Sequence, residues 1–143
     1  MIEIREQAFN PWAECQQYQA QMTLQGKYGA TAVFVGSMRD FNEGDAVKAM
    51  HLEHYPGMTE KYLEKIIQQA QQQWDLLDTL IIHRVGDISP DDAIVLVAVW
   101  SAHRANAFDA SRFIMEELKS RAPFWKKETL ADGMRWVEKN TPG

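Results

Sequence analysis

The run Ala93-Ile94-Val95-Leu96-Val97-Ala98-Val99-Trp100 contains no polar residue. Apolar side chains at every position, rather than every second one, predict a strand in the middle of a sheet with both faces covered. Downstream, the spacing predicts a helix from about Arg104 to Arg121, which Pro123 ends by denying the preceding residue helical geometry. Upstream, residues 77–85 form a second β-rich run, joined to the first through Gly86-Asp87 and Ser89-Pro90-Asp91-Asp92. Before it, Pro56-Gly57 turns the chain and Thr59 is a candidate cap. Tyr62, Leu63, Ile66, Ile67, Ala70 and Trp74 then make one apolar helical stripe. Residues 47–55 alternate as a strand, residues 29–37 read as a buried strand, and residues 40–45 read as a polar loop. Residues 2–6 alternate as a short strand. Asn10-Pro11 is a cap followed by a first-turn proline, predicting a helix of about three to four turns with Trp12, Cys15, Tyr18 and Met22 on its apolar side. Residues 124–137 are expected to form short strands or an ordered loop, ahead of a frayed tail at 141–143. Helices and strands do not alternate strictly, which favours an α+β domain with helices packed on a mixed or antiparallel sheet.

With 143 residues, 45% of them hydrophobic, the chain reads as one domain over residues 1–143 with enough apolar surface for a core. A net charge of −5 and a pI near 5.3 argue against a general nucleic-acid surface, which needs basic residues spread along a face. A single cysteine, Cys15, excludes an internal disulfide, a CxxC pair and a cysteine-rich zinc site. Its helical spacing makes it a small core residue. The N-terminus has neither a basic nor an apolar leader region, and no apolar run approaches the roughly 20 residues of a membrane span. A cytoplasmic protein is expected.

Against this acidic background, residues 103–127 carry six cations (Arg104, Arg112, Lys119, Arg121, Lys126, Lys127) and three acids, a local charge of +3. Such a local field draws a small anion. At 100° per residue, Arg104, Phe108, Arg112, Met115 and Lys119 share one side of the helix, and Ala107, Ala110, Ile114 and Leu118 another. The second side suits the sheet. The first suits a pocket wall or an interface, or equally a solvated stripe of snorkelling arginines. His103-Arg104 opens the helix, where free N–H groups and the positive dipole end favour phosphate, although a satisfied strand-end imidazole fits the local sequence as well. His103 and Lys119 are about 24 Å apart along a helix, so a shared pocket requires a second copy related by a two-fold axis. Lys119 and Lys126 flank the stiff segment Arg121-Ala122-Pro123-Phe124-Trp125, which can desolvate an ammonium and lower its pKa. His51 and Glu53 share a strand face and His54 takes the other, which disfavours a metal site. No GxGxxG, GxxxxGK[ST] or GxSxG motif and no paired-carboxylate signature is present.

Several blocks, in order, resemble the large, catalytic subunit family of molybdopterin synthase: 34–39 (FVGSMR), 52–60 (LEHYPGMTE), 82–86 (IHRVG), 101–104 (SAHR), 113–116 (FIME), 119–126 (KSRAPFWK) and 135–138 (RWVE). The resemblance implies an α/β hammerhead-type fold and a homodimer at the core of a heterotetramer, with a small ubiquitin-like sulfur carrier docked at each end. It implies sulfur transfer from the carrier's C-terminal Gly-Gly thiocarboxylate to cyclic pyranopterin monophosphate, forming the dithiolene of molybdopterin in molybdenum cofactor biosynthesis. Neither a metal nor a cofactor is implied. By the same resemblance Lys119 and Lys126 are the catalytic pair, and Arg39, His103 and Arg104 fall at anion-binding positions. Ser37, Met38, Lys127 and Glu128 are further substrate-binding candidates. The chain ends sooner after Trp136 than some relatives do, which bears on contacts a longer tail would make. A noncatalytic dimer that grips an acidic partner tail with the same patch is the competing reading.

Overall fold

The computed structural model describes residues 1–138, so the tail expected at 141–143 lies outside the described residues. In chain order the elements are β1 (Ile2–Arg5), α1 (Pro11–Gln21), β2 (Ala30–Ser37), β3 (Phe41–Asn42), β4 (Asp45–His54) and α2 (Met58–Gln73). They continue as β5 (Asp78–Arg84), β6 (Gly86–Ile88), β7 (Ala93–Ser101), α3 (Arg104–Arg121), β8 (Phe124–Leu130) and β9 (Gly133–Trp136).

The first sheet runs β1-β5-β7-β2, with β1 parallel to β5 and the other pairs antiparallel. β7 lies inside it, as its unbroken apolar run predicts. Val95, Val97 and Val99 face α2 and α3, packing with Leu63, Ile66, Ala70, Ala110, Ile114 and Leu118. Leu96, Ala98 and Trp100 face the other way, against Leu80, Ile82 and Met22, with Cys15 and Tyr18 of α1 alongside. Each fully buried side chain of this size contributes about 2 kcal/mol. Two polar side chains on this side are paired: Trp100 Nε1 donates to Gln19 Oε1 at 3.0 Å, and the Tyr18 hydroxyl donates to Asp78 at 2.8 Å.

The second sheet runs β3-β4-β8-β9, and β6 also pairs with β4. Its inner face packs Met38, Val47, Met50, Leu52 and Ile88 into a separate core. Helices on a mixed sheet, joined to one whose described strand pairs are all antiparallel, make the fold α+β, as the sequence predicts.

Five local expectations change. Gly86-Asp87, expected as a connection, belongs to β6 and pairs with β4. Residues 40–45 form a hairpin rather than a loop, because Glu43 and Gly44 both take positive φ (53° and 81°), the conformation of a tight two-residue turn. Thr59 is not the cap of α2. Gly57 precedes the helix with φ 84°, its N–H donates to Glu60 Oε2 at 2.9 Å, and Thr59 Oγ1 instead accepts from the Tyr55 N–H and donates to the Pro123 carbonyl, both at 3.0 Å. β2 is a sheet edge rather than a buried strand, leaving Phe34 43% exposed. Trp12 is 62% exposed instead of joining the apolar side of α1, whereas Asn10 caps that helix as expected, its Oδ1 accepting from the N–H groups of Trp12 and Ala13.

Candidate active site

The helix α3 and the strand β8 are consecutive, and the bend between them is fastened from outside. The Ala122 N–H donates to the Leu118 carbonyl at 3.2 Å and closes the helix, and Thr59 holds the next carbonyl, that of Pro123. Burying Ala107, Ala110, Ile114 and Leu118 against the sheet turns Lys119 to the side. In β8 the two-residue period puts Phe124 and Lys126 on one face and Trp125 and Lys127 on the other. Lys119 and Lys126 therefore come together, from a helix and a strand, on one hollow of about 280 Å³. Phe34, Gly36 and Ser37 of β2, Met115 of α3 and His83 of β5 also line it. A second hollow of about 730 Å³ shares Ser37, Met115 and Lys119 and runs along α3 past Arg112 and Phe108, with Arg39 on its rim. The helix face mixing Phe108, Arg112, Met115 and Lys119 thus lines an open hollow, buried at Met115 and solvated at Phe108 and at Arg112, which pairs with Glu116.

Both ammonium groups have proton affinities below the ordinary lysine range. At Lys119 burial is the largest cause, followed by repulsion from Lys126 and Arg39, with Glu116 opposing. At Lys126 burial again leads, Glu128 partly restores the affinity, and Arg39 lowers it. Lys119 retains accessible surface because the hollow is open, while the protein atoms around its ammonium strip away much of its water. Two such lysines can hold an anion, offset charge that develops on oxygen or sulfur, and release a proton nearer neutrality than a free lysine does.

The profile of the family described as "MoaE protein" matches residues 5–121. The chain belongs to the MoaE family. The molybdopterin synthase catalytic subunit of Pseudomonas aeruginosa is 52% identical over 137 residues, 96% of this chain and 89% of that protein. The protein of the same description from Ralstonia nicotianae is 61% identical over 110 residues, 77% of this chain and 62% of the relative's length. Among solved structures, molybdopterin synthase from Staphylococcus aureus superposes with a TM-score of 0.85 at 33% identity, covering 96% of each chain. The MoaE protein of Burkholderia ambifaria gives 0.79 at 49% identity, covering 96% of this chain and 88% of that one.

The remaining candidate residues of this MoaE chain divide by location. Ser37 lines both hollows, and exposed Arg39 stands 4.8 Å from the Phe41 ring centre at the mouth of the larger one. Met38 does not reach them: it is 2% exposed in the second-sheet core, its amide donating to the Asp92 carbonyl at 2.9 Å. His103 and Arg104 are exposed at the opposite end of α3 and line neither hollow within one copy. Lys127 lies on the far face of β8, its ammonium 5.4 Å from the Trp136 ring centre. Glu128 is 2% exposed and bonded to Asn42 and Arg135, which makes it an anchor beneath Lys126 rather than a lining group. Cys15 is partly buried, and burial pushes its thiol up, away from the thiolate form.

His51 Nδ1 meets Asp87 at 2.8 Å and its Nε2 is 3.5 Å from Glu53, whereas His54 faces Glu60 at 4.0 Å. Among the described residues no group of three or more His, Cys, Asp or Glu is arranged to hold a metal ion. Nor is any helix among them long and apolar enough to cross a membrane.

Sequence reasoning gave His83 no role, yet it lies in the lysine hollow. The ring stacks on Phe124 with centres 3.9 Å apart and planes 14° from parallel. Strand alternation from Ile81 puts position 83 on the α-side face, which was the available signal.

Proposed function

We propose that this chain is the catalytic subunit of a molybdopterin synthase, transferring sulfur from the C-terminal thiocarboxylate of a small ubiquitin-like carrier to cyclic pyranopterin monophosphate. Its supporting observation is that Lys119 and Lys126, from separate elements, line one hollow with proton affinities drawn down by burial and by neighbouring cations. Donor and acceptor are both anions, so holding them in reactive contact requires fixed positive charge in a partly dry site. The thiocarboxylate sulfur bonds to a substrate carbon as a carbon–oxygen bond at that carbon breaks and the oxygen leaves with a proton, giving a thioester between carrier and pterin. Water then cleaves the acyl–sulfur bond, leaving sulfur on the pterin and a carboxylate on the carrier. Two rounds give the dithiolene. Lys119 and Lys126 stabilise the charge that moves from sulfur to oxygen and supply the proton each round needs. Arg39 and Ser37 sit at the mouth, suited to the phosphate or to the incoming tail.

The larger hollow along α3 is apolar at Phe34, Phe108 and Met115, pairs Arg112 with Glu116 at 2.9 Å, and keeps Arg39 and Lys119 at the end that would receive the carboxylate-like terminus of an extended C-terminal segment. A solved structure with this fold, from Helicobacter pylori, is a complex of subunits 1 and 2 of molybdopterin-converting factor. A homodimer with a carrier at each end, and with His103 and Arg104 reaching the partner copy's lysines, completes the reading and accounts for two candidate anion-binding residues left outside the hollow. Residues 1–143 act in it as one catalytic domain, in the cytoplasm, with sulfur brought by the carrier rather than by Cys15. The test is a reconstituted assay with thiocarboxylated carrier and the pterin precursor. Molybdopterin formation that depends on Lys119 supports the reading; carrier binding without any turnover leaves the anion-gripping scaffold in its place.

A further inference from the structure

Phe124 and Lys126 are neighbours on one face of β8, in the second sheet, whereas Lys119 rides on α3, which is packed on the first. Along the hollow, one contact that ties these two layers together is the stack of His83 of β5 on Phe124, which also packs against the first-sheet core. We propose that His83 is a positioning residue for the lysine pair: its ring, lying flat on Phe124, sets where β8 holds Lys126 relative to Lys119.

The imidazole is held in one orientation. Its Nδ1 bonds to the Arg84 carbonyl at 2.8 Å, and since a carbonyl only accepts, Nδ1 carries the proton and donates. The ring is 5% exposed, and rotation about its side-chain bonds would break both that bond and the stack. Beyond Phe124 the bend is fastened again by Thr59 Oγ1, which donates to the Pro123 carbonyl. The start of β8 is thus pinned on two sides. A strand clamped at Phe124 has little freedom two residues later, and displacing a reacting group by about 1 Å costs up to a hundredfold in rate. The clamp also works only while uncharged, because Lys119 faces the ring from α3 and His54 faces it from β4, and burial keeps the imidazole neutral with a pKa of about 4.

This inference rests on the lysine reading above, so the test has one arm that is independent of catalysis. Wild-type chain, His83→Asn and His83→Phe are treated with a short bifunctional amine reagent, and the Lys119–Lys126 link is quantified by mass spectrometry. Asparagine can keep the N–H to the Arg84 carbonyl but cannot stack; phenylalanine stacks without the N–H. The link yield should fall about tenfold in His83→Asn and return with His83→Phe, and kcat should follow it while KM for the carrier stays within about twofold. Should His83→Asn not fold, Phe124→Leu removes the stack from the other side and carries the same expectation. Wild-type link yield in a folded variant lacking the stack, or equal loss in the asparagine and phenylalanine variants, overturns the proposal. If the link yield behaves as stated but Lys119→Ala and Lys126→Ala turn over normally, the catalytic reading fails and the positioning one stands.

Discussion

Glu128 of β8 and Arg135 of β9 are directly opposed in the strand register, and the carboxylate accepts from the guanidinium Nε at 3.1 Å. Asn42 Nδ2 lies 3.1 Å from each Glu128 oxygen, and the other end of Arg135 reaches Asp45 at 2.8 Å, so one buried acid fastens the hairpin, β8 and β9 together. It is also the anion that raises the proton affinity of Lys126. Glu128→Gln should therefore have two effects. The thermal midpoint should drop by about 5 °C, and Lys126 should be acylated by an amine-reactive probe at lower pH than in the wild type. An unchanged acylation profile would remove Glu128 as a partner of Lys126.

Lys119→Ala should lower molybdopterin formation at least about a hundredfold while carrier binding, followed by calorimetry, is kept. Lys119→Arg should not rescue it. Arginine keeps the charge but cannot give up a proton near neutrality, and its planar fork does not fit where a compact ammonium stood. Turnover within a few fold of wild type in either variant would take the catalytic role from Lys119.

His83 links stability to pH in a definite direction. Its pKa is about 4 in the fold, against an ordinary value of 6.5 in the unfolded chain, so the unfolded state binds more protons between these values. Stability must then fall as pH falls from about 6.5 to about 4, by roughly 3 kcal/mol in all from this group. Denaturant unfolding of wild type and His83→Phe at pH 7 and pH 4.5 isolates the effect from the carboxylates common to both. The wild type should lose about 2–3 kcal/mol more than the variant, and equal losses would mean that the imidazole is not held neutral.

Sharing of sites across a two-fold axis predicts complementation. Arg104→Ala and Lys119→Ala chains are each inactive in this scheme, but a heterodimer places both lesions in one site and leaves the other intact. Random mixing should recover about a quarter of wild-type activity, since half the dimers are mixed and each has one good site. No recovery after confirmed subunit exchange would show that His103 and Arg104 do not reach across.

The most regular local patterns were legible in the sequence. The unbroken apolar run of β7 marked the middle of the sheet, because a strand covered on both faces needs no polar alternation. The α3 helix matched its expected bounds, with a strand's polar end before it and Pro123 after it. The site was half legible. Lys119 and Lys126 stood out as cations around a stiff aromatic segment, and both face one hollow, but Met38 enters as the neighbour of Arg39, and Lys127 and Glu128 as neighbours of Lys126, on segments the family resemblance marks. Strand alternation turns Lys127 away, and burial makes Met38 core and Glu128 an anchor.

What local chemistry alone determined here is the three helices, the longer strands and the family blocks, but not the short strands β3 and β6, since periodicity, caps and prolines act over a few residues whereas short strands are fixed by their partners. Tertiary structure alone decided which of those residues meet. His83 and Phe124 are 41 positions apart in the sequence, and their stack exists because the fold brings β5 of one sheet against β8 of the other. The lowered proton affinities of Lys119 and Lys126 arise in the same way, from atoms that only the folded chain gathers around them and that exclude the water which would otherwise stabilise the charge.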